Sequence, residues 1–237
     1  MIKPPKALKK QRRSANKVTS LNFELQKIHP MTENQQLTFD EYNVGKNLVL
    51  HGSAGSGKSF LSLYLGLKDM LTHGYFKKIV IIRSAVATRD IGFLPGTEKE
   101  KLAVYDAPYR AIVADLFGRD DAYPILIEKG IIQFESTSFL RGLTYADCLI
   151  IVDECQNLSF HEFSTIITRL GERSRIIFAG DTRQSDFINK KEISGMFDFL
   201  RVVELMDEFT TIKFTTDDIV RSDIVKNYII TLEKLGL

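Results

Sequence analysis

No apolar run in this sequence approaches the ~18 residues of a membrane-spanning helix, which excludes that class of membrane protein. The first residues are basic but lack the apolar stretch of a signal peptide. Cysteine is scarce. Cys148 and Cys155 lie seven apart, which fits no metal knuckle, and the expected state is two reduced thiols in a cytoplasmic protein. Histidine is nearly as sparse. His161-Glu162 has no second histidine four residues on, so the zinc-protease pattern is excluded. Internal repeats and low-complexity segments are missing too. What is present is a chain of 237 residues, 44% hydrophobic and 26% charged, able to bury a sizeable core as one large domain or two small ones.

The net charge of +2 conceals an asymmetry. Residues 1–20 hold seven of the 32 basic residues and no acid, leaving 25 basic against 30 acidic residues in the rest, a net −5. A basic arm on an acidic body points to a polyanion such as nucleic acid; a solvated tail, opened by Pro4-Pro5, accounts for it equally well. By composition, residues 1–28 form a flexible tail and 29–237 the folded domain.

Within that domain, apolar runs of strand length alternate with helical patterns. Strands are expected at Asn47–Leu50, Lys77–Ser84, Ile131–Ser136, Asp147–Asp153, Arg175–Ala179 and Phe209–Thr215. Pro30 and Thr32 suit a turn and a helix start. Helices are expected over Phe60–Leu71, Glu98–Phe117, Ser159–Leu170, Ile193–Leu200 and Ser222–Leu235, with Ser159 and Glu162 placed as a capping box. The pattern predicts an α/β fold with a mostly parallel sheet covered on both faces.

The strongest local signal is Gly52-Ser53-Ala54-Gly55-Ser56-Gly57-Lys58-Ser59, which fits the phosphate-binding loop G-x-x-x-x-G-K-[ST] between a strand and a helix. Glycines let the backbone curl with its N–H groups inward, and the helix that follows adds free N–H groups of its own. Lys58 is the candidate for the β- and γ-phosphates, and the Ser59 hydroxyl for Mg²⁺. Leu149-Ile150-Ile151-Val152-Asp153-Glu154 is an apolar strand ending in two acids, 95 residues beyond Lys58 at Asp153. Asp153 is the candidate to hold Mg²⁺ through its water shell, and Glu154 to polarise the attacking water. Gly180-Asp181-Thr182-Arg183-Gln184 follows the next strand. Gln184 offers an amide for the γ-phosphate or the water, though Gly-Asp is equally good turn chemistry.

These three motifs together resemble the RecA-like core of superfamily 1 helicases, and more closely the PhoH-like proteins, ATPases of bacteria and phages. Arg83-Ser84-Ala85-Val86, Gly92-Phe93-Leu94-Pro95-Gly96, Phe139-Leu140-Arg141-Gly142, Leu170-Gly171 and Ile219-Val220-Arg221 carry the narrower likeness, from about residue 30 to the C-terminus. Departures are Ser84 where family members often have proline, Cys155 where alanine is usual, and Ser222-Asp223 where His-Pro is common. The resemblance implies a single RecA-like P-loop NTPase domain that hydrolyses ATP with Mg²⁺. It implies an adenine-reading glutamine at Gln35, with Gln36 as the neighbouring alternative, and an arginine near the nucleotide at Arg221. Coupling to RNA or another nucleic acid is expected. So is a homo-oligomer, with a hexameric ring as one form, because superfamily 1 helicases unwind with two such domains and this chain has room for one. Arg221 would then serve its own site or a neighbour's. A nucleotide-gated assembly module without helicase activity is the competing reading, and a small-molecule kinase a more distant one.

Overall fold

The computed structural model describes residues 21, 23–84, 98–137, 142, 144–181 and 190–235. The Gly92–Gly96 loop, Phe139, Gln184 and the basic arm 1–20 lie outside them. The described chain runs α1 (Glu33–Asn43), β1 (Asn47–Gly52), α2 (Lys58–Thr72), β2 (Lys78–Arg83), α3 (Glu98–Phe117), α4 (Ala122–Glu128), β3 (Ile132–Ser136), β4 (Cys148–Asp153), α5 (Phe160–Ile167), β5 (Arg175–Gly180), α6 (Lys190–Val203), β6 (Phe209–Phe214) and α7 (Asp223–Leu235).

The six strands form one sheet in the order β3-β2-β4-β5-β1-β6, and every pairing is parallel. The expected strands are thus all present. Their continuous apolar runs follow from burial on both faces, and β4 is buried at every position. Successive side chains alternate between two cores, as the period of two requires. Leu48, Leu50, Leu149 and Ile151 face the core built by α1 to α4. Val49, Ile150, Val152 and Phe178 face the one built by α5 and α6. There Phe163 stacks on Phe199 with centroids 4.1 Å apart.

Three local expectations shift. Leu21, Phe23, Leu25 and Ile28, assigned to the tail by composition, pack against the first core, and Gln26 N donates to the Leu116 carbonyl. Alternating apolar residues 21, 23 and 25 put one side of an extended segment on the domain, which basic neighbours mask in a compositional reading. Helix α5 has the capping box at Ser159 and Glu162 but ends at Ile167, and Leu170 bridges Tyr145 instead. Helix α4 was not expected. It spans seven residues and carries Pro124 in its first turn, where a missing N–H costs nothing.

Candidate nucleotide-binding site

Parallel register brings the chemistry to one edge. Arg83 of β2 lies opposite Asp153 of β4, His51 of β1 opposite Gly180 of β5, and Gly52 opposite Phe214 of β6. All are at the C-terminal ends of their strands, where ligands bind in such sheets. The loop that follows β1 is fastened to β6. Gly52 has φ +114°, any Cβ there would collide with the Phe214 carbonyl oxygen, and Ser53 N donates to that same oxygen at 3.1 Å. Gly57, at φ +86°, is the N-cap of α2 and supplies no side chain, so the first N–H groups of the helix open into the loop. The Lys58 ammonium donates to the carbonyls of Gly52 (2.9 Å) and Ser53 (2.7 Å) and to Ser56 Oγ (3.3 Å). Burial pushes its pKa down, while Asp181 and Asp153 pull it back up.

The second motif meets the first. Ser59 Oγ donates to Asp153 Oδ1 at 2.7 Å, and Tyr109 Oη donates to Asp153 Oδ2 at 2.8 Å. Burial holds the Asp153 carboxyl above the usual carboxylate range against the opposing pull of those hydrogen bonds. Glu154 sits one residue past the strand in the left-handed region, φ +52°. Its Oε2 accepts from Gln156 Nε2 at 2.6 Å, and Arg83 Nη2 stands 3.9 Å from its Oε1. Gln156 is buried and bridges two strand ends, since its Oε1 also accepts from Asp181 N at 3.0 Å. Tyr109, Gln156 and Arg83 had no site role in the sequence reading. Tyr109 reads as one more residue of an apolar helical stripe, and Gln156 and Arg83 stand inside recognised motifs whose other members drew the roles.

The two candidate adenine readers separate clearly. Gln35 is buried; its Oε1 accepts from Met31 N at 2.8 Å and its Nε2 donates to the Ser56 carbonyl at 3.1 Å. One N–H and one lone pair of its amide stay available. Gln36 lies on the exposed side of α1 and donates to Asp40. Arg221 reaches the loop of its own chain: a Cβ built on Gly55 would lie 3.0 Å from Arg221 Cγ, and Val220 N donates to the Gly55 carbonyl at 3.2 Å. The segment is tied down by Asp218, which accepts from Thr32 Oγ1 (2.6 Å) and from Asn34 Nδ2 (2.8 Å). A cleft of about 530 Å³ results, lined among others by Lys58, Ser59, Arg83, Asp153, Glu154 and Arg221.

A hard cation fits this donor set. Ser59 and Asp153 offer oxygen ligands side by side, and among the described residues no group of three or more His, Cys, Asp or Glu forms a metal cage. One carboxylate plus phosphate oxygens is the usual environment of Mg²⁺.

His51, at the end of β1, supplies a pH probe of this region. Burial, with help from Lys213 and Lys58, lowers its pKa from 6.5 to about 4. The fold holds the imidazole neutral while the unfolded chain protonates it below about 6.5, so this contribution to stability is present above that pH and lost as pH falls toward 4. Urea-unfolding midpoints measured from pH 7 to 4 should fall more steeply for the unaltered chain than for His51→Gln. Parallel profiles would show that His51 is not the group responsible.

Strand order, loop and strand-end acids together define a RecA-like P-loop NTPase domain, in which β5 lies between the loop-bearing β1 and the acid-bearing β4. Residues 27–233 match the family model described as PhoH-like protein, and the chain belongs to that family. It is 41% identical over 145 residues to Protein PhoH2 of Bacillus subtilis, covering 59% of this chain and 32% of the relative. To the PhoH-like protein of the same organism it is 34% identical over 184 residues, covering 77% and 57%. The chain therefore spans from about a third to somewhat over half the length of these relatives. Among solved structures, the large terminase of a thermophilic bacteriophage aligns with a TM-score of 0.49 and 11% identity, covering 84% of this chain and 50% of the terminase. So distant a likeness adds nothing to the strand order. Among the described residues no helix is long and apolar enough to cross a membrane.

Proposed function

We propose that the domain binds ATP with Mg²⁺ and hydrolyses it, and that turnover is coupled to binding or remodelling RNA or another nucleic acid in the cytoplasm. The observation that carries the nucleotide reading is the meeting of Ser59 and Asp153 at 2.7 Å beneath the loop, with Glu154 and Lys58 in the same cleft. The loop N–H groups and Lys58 hold the β- and γ-phosphates. Ser59 and Asp153 hold the cation, which when bound neutralises phosphate charge. Glu154, oriented by Gln156, polarises the attacking water, and Arg221 supplies positive charge from the same chain. Gln35 offers its remaining donor and acceptor to the adenine edge. Gln184 keeps its candidate role at the γ-phosphate. The nucleic-acid part is supported by the seven basic residues of the arm.

The test is nucleotide binding and phosphate release with and without single-stranded RNA. Lys58→Ala should fold normally and lose about 1.5–3 kcal/mol of nucleotide affinity, the worth of a charge-assisted contact. Added RNA should accelerate the unaltered chain. Undiminished affinity and turnover in folded Lys58→Ala would end the nucleotide assignment, and turnover indifferent to RNA and DNA would end the coupling. Formation of a phosphorylated acceptor in place of free phosphate would identify a kinase.

One observation favours a nucleotide-gated homo-oligomer, including a hexameric ring, as a second reading. Helix α7 buries no residue, and Ile224, Tyr228 and Leu235 on its outer stripe are 79%, 65% and 65% exposed. Light scattering with ADP and with a non-hydrolysable ATP analogue distinguishes it, since a gated assembly changes mass with the nucleotide.

A further inference from the structure

We infer that Tyr109 is the positioning residue of the cation-holding carboxylate, fixing through its hydroxyl the plane in which Asp153 presents its oxygens beside Ser59; this rests on the nucleotide reading above. The two oxygens of Asp153 are held by donors from two different helices, Oδ1 by Ser59 of α2 and Oδ2 by Tyr109 of α3. Both oxygens ride on one Cγ, so turning the carboxylate about Cβ–Cγ moves them together, and a single hydrogen bond resists that turn at one point only. Held at both, it presents a defined pair of lone pairs to whatever binds beside Ser59. Groups that orient a ligating carboxylate in this way are worth about 10–100-fold in metal affinity elsewhere.

The plainer account is that Tyr109 is a core residue. It is only 1% exposed, it begins the stripe continued by Val113 and Leu116, and its ring lies 5.7 Å from that of Phe134. That account explains the ring and leaves the hydroxyl unexplained. A phenylalanine would fill the stripe equally well without bringing a polar atom into a dry place, where an oxygen must find a partner. The partner found is the one carboxylate beside the loop serine. Pro108, immediately before it, leaves α3 without one N–H, and with Ala111 and Ile112 it lines the same cleft, so this stretch of the helix forms a wall of the site.

The test uses Tyr109→Phe, which keeps the ring and removes only the hydroxyl. Binding of a fluorescent ADP analogue is titrated with Mg²⁺ and, separately, in EDTA, and Mn²⁺ binding in the presence of ADP is followed by electron paramagnetic resonance. The variant should need about 10–100-fold more Mg²⁺ or Mn²⁺, with its EDTA affinity for the analogue unchanged. Introduced into Asp153→Asn, the same change should add nothing further to the metal requirement. Phe134→Leu loosens the same packing but keeps the hydroxyl, and should retain the metal requirement of the unaltered chain. A wild-type requirement in Tyr109→Phe would overturn the inference. So would equal losses with and without metal, a full additional effect in the Asp153→Asn background, or a matching shift in Phe134→Leu. An Asp153→Asn variant with an unaltered metal requirement would remove the reading of Asp153 itself, and the inference with it.

Discussion

Glu154→Gln should bind ATP as tightly as the unaltered chain and release phosphate about 10²–10⁴-fold more slowly, the usual cost of removing a general base. The substitution is chosen to disturb little else. Glutamine has nearly the same size, its carbonyl can still accept the 2.6 Å hydrogen bond from Gln156, and the left-handed backbone at φ +52° is no harder for it to adopt. What disappears is a carboxylate able to take a proton, together with the charge that faces Arg83 at 3.9 Å. Gln156 makes the prediction sharper. It is anchored by Asp181 N at the end of β5, so it holds residue 154 in place whether that residue is acid or amide. Binding should therefore survive while turnover falls. Phosphate release at the wild-type rate would move the water-polarising role to another residue.

Arg221→Ala should slow hydrolysis further still, by about 10³–10⁵-fold if the guanidinium meets the charge that develops on the transferring phosphoryl group. The structure brings Arg221 beside Gly55 of its own loop, on a segment clamped by the Val220–Gly55 and Asp218 hydrogen bonds. Service within one chain is the arrangement this geometry supports. Mixed assemblies of Arg221→Ala and Glu154→Gln subunits should then regain no activity, because every site has lost one of its two essential groups. Recovered activity in verified mixed assemblies would mean that the arginine reaches across to a neighbour. Full activity of Arg221→Ala alone would leave the residue a surface cation, weakly paired if at all.

Much of this was legible before any coordinates. The loop, its flanking strand and helix, and the apolar run ending in Asp153 and Glu154 each combine a composition with a spacing that few other structures require. The capping box at Ser159 and Glu162 announced itself in the same way, because cap chemistry is local. Contacts across the chain were not legible. Nothing in the neighbourhood of Tyr109 points to Asp153, 44 residues on, since a buried tyrosine looks the same whether its hydroxyl serves a site or not. That Gln35 turns inward to the loop and Gln36 outward to solvent needed the direction of α1, which the Thr32 cap fixes. Arg221 posed the same difficulty. Its place beside the loop is tied to Asp218 reaching Asn34, a contact between residues far apart in the sequence.

That last contact carries a consequence for how the protein is made. Asp218 and Asn34 are 184 residues apart, and the segment that Asp218 anchors is also the one that brings Val220 and Arg221 to the loop. On the ribosome, the phosphate loop and the helix behind it emerge early. Their outer clamp is among the last parts of the domain to be synthesised. A nascent chain that has not yet reached β6 lacks Phe214, Val220 and Arg221, the residues that fasten and flank this loop, so the site can be completed only after that segment has been made.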